Sequence, residues 1–157
     1  MGIKIIDYNE EYHAVFKELN LEWLDKYNLT ESHDLEVLDD PQKYILDRGG
    51  CLFLALIGDK VVGSAGLMKG DNNEYELVKM SVDPQFRGQG IGKRLLERCL
   101  EEAGKLKAKK VFLFSNSQLQ TALKLYTKYG FNHVAVTDAP FLTADVKMEL
   151  LLSSQLS

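Results

Sequence analysis

The feature that most constrains this chain is a glycine-rich segment, residues 82–93, which joins a β-like stretch directly to an amphipathic helical stretch. It reads Val-Asp-Pro-Gln-Phe-Arg-Gly-Gln-Gly-Ile-Gly-Lys. Glycine lets the backbone approach a ligand closely, and the first turn of a helix presents unpaired N–H groups beside about half a positive charge. The segment therefore predicts a phosphate-binding turn between a strand and a helix. Local positive charge comes from Arg87, Lys93 and Arg94.

Two common nucleotide-binding motifs do not fit this segment. A P-loop requires glycine five residues before the glycine of Gly-Lys, where this chain has Arg87, and Ser or Thr after the lysine, where it has Arg94. A dinucleotide fingerprint that starts at Gly88 requires a glycine at Lys93, and it should follow a first parallel strand. The spacing therefore argues against a nucleotide-dependent oxidoreductase and leaves the pattern Arg-x-x-Gly-x-Gly.

The hydrophobic pattern around the segment predicts the order β α α β β β α β α β β. The predicted strands are Ile3–Ile6, Cys51–Ile57, Val61–Met68, Glu74–Val82, Lys110–Ser115, Phe131–Val136 and Val146–Leu151. The predicted helices are Tyr12–Tyr27, Pro41–Leu46, Gly90–Leu106 and Leu119–Tyr129. We therefore expect a single domain over residues 1–157 with an α/β (α+β) fold, in which a mixed sheet of six to seven strands is flanked by about four helices.

The net charge and the hydropathy of the chain exclude several classes of binding partner. The net charge of −4 and the pI of about 5.4 argue against a general electrostatic attraction to nucleic acid or anionic lipid. No apolar run reaches the length that spans a bilayer, and the first residues resemble neither a secretory signal nor a myristoylation site, which would need Ser or Thr at Ile6. We expect a cytoplasmic protein without nucleic-acid or membrane partners.

The cysteines and histidines predict no metal site. Cys51 and Cys99 stand apart without a Cys-x-x-Cys spacing, which favours two buried thiols in a reducing compartment, with a disulfide as the alternative. The three histidines, His13, His33 and His133, form no His-Glu-x-x-His pair. We therefore expect no bound metal and no essential cysteine.

A second motif lies near the end of the chain and reads Leu-Tyr-Thr-Lys-Tyr-Gly-Phe over residues 125–131. Together with the glycine-rich segment, in this order and on this pattern of strands and helices, it resembles the GCN5-related N-acetyltransferase (GNAT) superfamily. The resemblance covers nearly the whole chain. It implies a GNAT fold and the transfer of an acetyl group from acetyl-CoA to an amine. Relatives often carry Asn where this chain has Leu119, and Asn116 is the candidate replacement.

The resemblance also implies which residues bind acetyl-CoA. The strand before the loop is expected to splay from its neighbour near Met80–Val82, which leaves backbone N–H groups for the thioester carbonyl and the pantetheine arm. The loop is expected to bind the pyrophosphate. The expected cofactor-binding residues are Met80, Ser81, Val82, Arg87, Gly88, Gln89, Gly90, Ile91, Gly92, Lys93, Asn116 and Tyr126.

Glu76 is the candidate general base, because an ammonium near pKa 10 must lose a proton before it attacks a thioester. Period-two alternation places Glu76 on one strand face with Val78, Met80 and Val82, where partial burial would raise its pKa. It also matches the strand glutamate that many relatives use, and the resemblance implies that it acts through a water. An exposed or salt-bridged glutamate is the alternative.

Tyr126 is the second catalytic candidate. The resemblance implies that its hydroxyl donates a hydrogen bond to the departing sulfur. Its helical spacing with Leu119, Ala122 and Leu123 is also that of a core aromatic residue, which is the alternative.

The predicted function is therefore direct acetyl transfer in a ternary complex to an unidentified small-molecule or peptide amine. A catalytically silent acyl-CoA sensor of the same fold is the alternative. The acidic stretch 31–40 lies where relatives line the acceptor cleft and could attract an amine, although a solvated loop is the favoured interpretation. A C-terminal strand in this fold often forms dimers, so a homodimer is possible.

Overall fold

The computed structural model describes residues 2–137, 139 and 142–152. Seven strands form one sheet in the spatial order β1-β2-β3-β4-β5-β7-β6. The strands are β1 (Ile3–Asp7), β2 (Cys51–Ile57), β3 (Lys60–Lys69), β4 (Glu74–Val82), β5 (Lys110–Ser115), β6 (Asn132–Val134) and β7 (Val146–Leu151). The α-helices are α1 (His13–Lys26), α2 (Ser32–Asp39), α3 (Pro41–Tyr44), α4 (Ile91–Lys105) and α5 (Gln120–Lys128). Single 3₁₀ turns cover Glu10–Tyr12, Leu46–Arg48 and Pro84–Phe86.

The sheet is mixed because its two halves are connected differently. Strands β1 to β4 pair antiparallel with their neighbours in the sheet, and α4 then carries the chain to β5, which pairs parallel to β4. Strand β7 lies between β5 and β6 and is antiparallel to both. The predicted fold class is confirmed, with seven strands and five helices in the described part of the chain.

Helices cover both faces of the sheet. The first core, on the face of α4 and α5, includes Phe53, Leu77, Leu95, Leu113 and Leu123. The second core, on the face of α1 and α2, includes Phe16, Leu38, Leu52, Leu54 and Leu56. Strand β2 supplies both cores from alternate positions, which explains why its sequence is a continuous apolar run rather than an alternating one.

The acidic stretch is not a solvated loop, so that expectation is wrong. Residues 32–39 form α2, and Glu31 with Asp34 makes a capping box at its start, in which the Glu31 N–H donates to Asp34 Oδ2 at 3.1 Å. Val37 and Leu38 are buried beneath the helix. Reciprocal capping and two buried apolar side chains stabilise a short helix despite its acidic composition.

Helix α4 lies unusually close to β3 because β3 carries glycine at the crossing point. A Cβ atom built on Gly63 would lie 2.9 Å from Leu95 Cδ1 and 3.0 Å from Ile91 Cγ2. The first contact is shorter than real Cβ atoms show and the second is tighter than most of them, so a larger residue here would push α4 away from the sheet. The position of the glycine-rich loop, which begins α4, depends on the distance between α4 and the sheet.

Gly63→Ala should therefore destabilise the fold by about 1–3 kcal/mol through overpacking. Gly104→Ala is the matched control, because Gly104 lies in α4 with nothing within 4 Å of a built Cβ, and alanine there should stabilise by about 0.5–1 kcal/mol. Urea denaturation of both variants measures the difference. Equal stability of the two variants would show that the close approach at Gly63 is not limiting.

Candidate active site

A cavity lies where β4 and β5 separate. The two strands pair only over Glu74–Glu76 with Lys110–Phe112. Beyond these pairs a cavity of about 130 Å³ lies between the strands. Its strand-borne walls are Glu76, Leu77, Val78, Lys79 and Met80 from β4 and Leu113, Phe114 and Ser115 from β5. The pairing ends directly after Glu76, which is earlier than the splaying near Met80–Val82 that the family resemblance implies.

A β-bulge reshapes β4 beside this cavity. Ser64 pairs with Ser81 while Gly66 pairs with Val78, so two residues of β4 lie opposite one residue of β3. Lys79, at the bulge, has a φ of +55°, in the left-handed region that non-glycine residues rarely adopt. A bulge of this kind bends its strand and increases the local twist.

A buried polar network holds the bulge. The Ser64 hydroxyl donates to the Lys79 carbonyl at 2.6 Å and lies 3.1 Å from the Ser81 hydroxyl. Asn20, on α1, donates from Nδ2 to Ser64 Oγ at 3.1 Å and to the Phe16 carbonyl at 3.0 Å. Because the network satisfies a carbonyl that the bulge displaces, it fixes the geometry of β4 next to the cavity.

The bulge makes the predicted alternation along β4 wrong beyond Val78. Met80 and Val82 pack against the first core, whereas the Ser81 hydroxyl contacts Ser64 on the opposite face. Glu76 therefore does not share a face with Met80 and Val82. The physical reason is the single extra residue, which reverses the direction of every side chain that follows it.

Glu76 lines the cavity and is partly buried. Burial raises the pKa of its carboxyl to about 7, and the positive charges of Lys79 and Lys147 oppose that rise. A carboxyl with this pKa is partly ionised at neutral pH and can accept a proton. The role of general base that the sequence predicts for Glu76 stays a prediction.

Tyr126 belongs both to the cavity wall and to the first core. It lies on α5, is 6% exposed, and its ring centroid is 5.8 Å from that of Phe131. Burial raises the pKa of its hydroxyl well above the ordinary value of 10. The phenol therefore stays protonated at neutral pH, which suits a hydrogen-bond donor. The two interpretations of Tyr126 from the sequence are compatible in this structure.

The glycine-rich loop presents the start of α4 to solvent. Gly88 and Gly90 have φ values of +79° and +78°, and a Cβ built on either meets nothing within 4 Å. Backbone conformation, not space, therefore requires glycine at these positions. Gly90 is the N-cap residue of α4, and no side chain in the described part of the chain caps this helix start. The first turn carries no acidic residue, so its N–H groups offer an anion site.

The predicted loop residues divide by exposure. Arg87, Gly88, Gln89, Gly90 and Lys93 are exposed, whereas Ile91 is buried and anchors the helix. Arg87 donates from Nη2 to the Tyr27 hydroxyl at 3.3 Å, which connects the loop to the end of α1. Residues 87–90 are consecutive and exposed, and Lys93 follows in the first turn of α4.

Asn116 lies at the end of β5 and lines the cavity. Its Nδ2 donates to the Thr143 carbonyl at 2.7 Å, and its Oδ1 accepts from the Gln118 N–H at 3.0 Å. Its contact with acetyl-CoA remains a prediction. Leu119, which stands where relatives have Asn, is buried just before α5 and also lines the cavity.

Two loops around the cavity are joined by Glu31. Its carboxylate accepts from the N–H of Leu142 at 3.0 Å, from the N–H of Thr143 at 2.9 Å and from the Thr143 hydroxyl at 2.6 Å. Glu31 precedes α2, whereas Thr143 precedes β7 and lines the cavity. The connection between α1 and α2 is therefore fixed to the segment before β7.

Sequence reasoning missed a buried ion pair in the cavity wall. Lys79 Nζ lies 2.7 Å from Asp34 Oδ1, and the two side chains are only 8% and 5% exposed. Strict alternation along β4 predicts Lys79 on the face opposite Glu76, and Asp34 lies in the stretch 31–40 that is expected to be a solvated loop. The capping-box spacing between Glu31 and Asp34 was the one available signal, and it indicates a helix start rather than a site.

The described residues contain no helix that is long and apolar enough to cross a membrane. Within residues 2–137, 139 and 142–152, no three or more His, Cys, Asp or Glu side chains are grouped as a metal site requires.

Comparison with known proteins identifies the class as acyltransferase. A family model described as the Acetyltransferase (GNAT) family matches residues 12–131. The chain therefore belongs to the GNAT acetyltransferase family, which confirms the resemblance carried by its two motifs.

One relative and two solved structures show the extent of the similarity. The N-acetylaspartate synthetase of Rattus norvegicus is 36% identical over 104 residues, which are 66% of this chain and 35% of the synthetase. The chain therefore spans about a third of the length of that relative. A GNAT-family acetyltransferase of Staphylococcus aureus Mu50 has a TM-score of 0.89 and 26% identity, covering 96% of this chain and 99% of that one. The PaiA N-acetyltransferase of Thermoplasma acidophilum, solved with coenzyme A, shares the fold with a TM-score of 0.77, 18% identity and coverage of 97% and 100%.

Glu76→Gln should make the protein more stable at pH 8 but not at pH 4. The native carboxyl has a pKa of about 7, above its ordinary value of 4.5, so the native state holds the proton more tightly than the unfolded state. The contribution of Glu76 to stability is therefore lost as pH rises from 4.5 through 7. Glutamine carries no charge, so the gain at pH 8 should be about 2 kcal/mol after allowance for solvent screening.

Urea denaturation of wild type and Glu76→Gln at both pH values measures this difference. An equal effect of the substitution at pH 4 and pH 8 would contradict the raised pKa.

Proposed function

We propose that this chain transfers the acetyl group of acetyl-CoA to a primary amine by direct attack in a ternary complex. The observation that carries the proposal is the cavity between β4 and β5, because Glu76 and Tyr126 line it from different elements. Strand β4 leads from this cavity into the glycine-rich loop. Strand β4 thus carries the proposed proton acceptor, Glu76, and continues into the loop that is proposed to bind an anion. The proposal includes one domain over residues 1–157, acting in the cytoplasm without nucleic-acid or membrane partners.

The loop is proposed to bind the pyrophosphate of acetyl-CoA. The positive φ values of Gly88 and Gly90 and the uncovered start of α4 fit a group that approaches the backbone closely. The positive charges of Arg87 and Lys93 would neutralise part of the phosphate charge. A protein of the same fold, the Thermoplasma acidophilum PaiA N-acetyltransferase, was solved with coenzyme A, which supports coenzyme A as the kind of ligand.

The backbone of β4 is proposed to bind the thioester. The strand has no partner on the β5 side after Glu76 in the described register, so peptide groups near Met80, Ser81 and Val82 can meet the pantetheine arm and the carbonyl oxygen. One preorganised N–H at a developing oxyanion contributes about 3–4 kcal/mol to catalysis. This backbone hydrogen bond would lower the activation free energy by more than any one side chain in the site.

Glu76 is proposed to take the proton from the acceptor ammonium, directly or through a water. The neutral nitrogen then attacks the carbonyl carbon and becomes positively charged. As the carbon–sulfur bond breaks, the nitrogen gives up this second proton, which the departing thiolate takes, so that the products are the amide and the free thiol of coenzyme A. A base with a pKa of about 7 is matched to this task near neutral pH.

Tyr126 is proposed to donate a hydrogen bond to the departing sulfur. Full proton transfer from an ordinary phenol near pKa 10 to a thiolate near 8.5 is uphill by about 2 kcal/mol. Burial raises the pKa of Tyr126 further, so transfer of its proton is more unfavourable still. The hydroxyl therefore assists by hydrogen bonding. Asn116, which lines the same cavity, is proposed to contact acetyl-CoA beside Tyr126.

The experiment that tests the proposal is thiol release from acetyl-CoA with a panel of primary amines between pH 6 and 9. We expect turnover above the amine-free rate, with kcat/KM changing slope near pH 7 as Glu76 titrates. Glu76→Gln should lower kcat/KM by about 100-fold and remove that change of slope, while the rise due to the amine itself persists.

A profile of Glu76→Gln that keeps the change of slope near pH 7 would exclude Glu76 as the base. Calorimetry with coenzyme A separates the remaining outcomes. Binding without turnover on any amine would favour the acyl-CoA sensor, and no binding at millimolar coenzyme A would reject the proposal altogether.

Direct attack requires no cysteine. Burial raises the pKa of Cys51 to about 11 and that of Cys99 further, and neither is among the described residues that line the cavity. Thiolate, the nucleophilic form, is therefore scarce at both positions.

The double variant Cys51→Ala/Cys99→Ala should keep kcat within about twofold of wild type, with some loss of stability because Cys99 is fully buried. Thiol release is the readout, with circular dichroism as the folding control. Abolished turnover in folded protein would indicate a covalent acetyl-enzyme instead.

A further inference from the structure

Asn20, on α1, lines the same cavity as Glu76 although its side chain is only 2% exposed. Its Nδ2 donates to the Phe16 carbonyl at 3.0 Å and to Ser64 Oγ at 3.1 Å. An amide nitrogen has two N–H donors, so both are used. Because a carbonyl oxygen can only accept, the bond to Phe16 also decides which end of the amide is the nitrogen. The position of Oδ1 is therefore fixed.

Oδ1 of Asn20 is an unused hydrogen-bond acceptor. Both side-chain hydrogen bonds of Asn20 in the described part of the chain use Nδ2, so no donor there reaches Oδ1. Every described side-chain nitrogen or oxygen that is shut off from solvent has a partner. Oδ1 must therefore be accessible, and the accessible part of so buried a side chain lies at the cavity that it lines. A buried carbonyl without a donor is unfavourable, so Oδ1 is suited to a donor that enters from outside the chain.

Asn20 and Glu76 meet a ligand from the same face of the sheet. Tyr75 and Leu77 belong to the first core, on the face of α4 and α5, so Glu76 between them points to the opposite face. Helix α1, which carries Asn20, packs on that opposite face through the second core. Tyr126 and the glycine-rich loop at the start of α4 belong to the first face. The ligand that reaches Asn20 is therefore the acceptor rather than coenzyme A.

The register of β3 and β4 places Asn20 near the bulge and Glu76 further along the strand. Ser64, which Asn20 contacts, pairs with Ser81, whereas Met68 pairs with Glu76. Ser64 and Met68 are four residues apart in β3, which corresponds to about 13 Å along the strand. The peptide groups proposed to bind the thioester lie at the bulge end. A nitrogen that attacks the thioester is therefore closer to Asn20 than to Glu76.

We infer that Asn20 binds the acceptor, with Oδ1 accepting a hydrogen bond from the reacting nitrogen and so orienting it towards the thioester carbonyl. The inference rests on the proposed function. An amide oxygen is uncharged and accepts equally from an ammonium and from the neutral amine that forms when the ammonium loses a proton. A neutral primary amine has two N–H groups, so one stays on Asn20 while the lone pair attacks. Glu76, at the other end of the cavity, then takes the first proton through a water, which passes on one proton as it receives another.

The test must separate this role from the support that Asn20 gives to the bulge through Ser64. Ser64→Ala removes the hydroxyl that receives this support, so an effect of Asn20 that persists in the Ser64→Ala background does not pass through the network. Thiol release from acetyl-CoA is measured at saturating acetyl-CoA with benzylamine, ethanolamine, putrescine and L-alanine amide. Ser64→Ala/Asn20→Leu should have a kcat/KM for the amine at least tenfold below that of Ser64→Ala. The Kd of coenzyme A, measured by calorimetry, should agree within twofold between the two variants.

A second pair of variants tests the oxygen itself in the presence of Ser64. Asn20→Asp keeps the shape and an oxygen at the position of Oδ1, but it cannot supply two N–H donors. Asn20→Leu has a similar volume and no polar atom. Asn20→Asp should exceed Asn20→Leu at least tenfold in kcat/KM for the amine. A purely structural Asn20 would give the reverse order, because a carboxyl beside the Phe16 carbonyl disturbs the fold more than leucine does. Circular dichroism of each variant is the folding control.

Two results would overturn the inference. One is a kcat/KM of Ser64→Ala/Asn20→Leu within twofold of that of Ser64→Ala, and the other is an Asn20→Asp variant that is no faster than Asn20→Leu. In both cases acetyl transfer still occurs, so the proposed function stands. Wild type that acetylates no amine, in these four or in the wider panel, would instead contradict the proposed function, and the inference would fall with it.

Discussion

One extra residue in β4 is the constraint on which the site depends. The bulge at Lys79 reverses the side chains that follow, so that Val82 reaches the first core while Ser81 turns towards Ser64. The strand bends beside the point where it loses β5 as a partner. Glu76 lies before the bulge and the glycine-rich loop after it. The network of Asn20, Ser64 and Ser81 therefore holds the backbone of β4 beside the cavity.

Much of the fold could be predicted because the signals are local. Strands β2, β4, β5 and β7 have the predicted bounds, since apolar runs end there at glycine, proline or polar turns. Helix α2 could not be predicted from composition, because two buried residues and a capping box outweigh its acidic sequence. The bulge also escaped prediction. Nothing in the sequence indicates that Lys79 adopts a positive φ. The two serines whose hydroxyls meet at the bulge lie on different strands, far apart in the sequence.

Although the net charge of the chain is −4, basic residues lie at both parts of the candidate site. Exposed basic residues flank the uncovered start of α4, and Lys79 supplies a buried cation inside the cavity. Burial, rather than a neighbouring negative charge, raises the pKa of Glu76. Motif and position made Glu76, Tyr126 and the loop candidates from the sequence alone. They gave no indication of Asp34, whose place beside Lys79 depends on how α2 packs.

The unpaired edge of β4 has a consequence for how this enzyme can diverge. Its donors are peptide groups, which every amino acid except proline supplies. Side chains around the edge can therefore change without removing the groups proposed to meet the donor thioester. The side chains of the cavity wall can therefore vary while the edge is kept, whereas loss of the edge itself requires a change of backbone path.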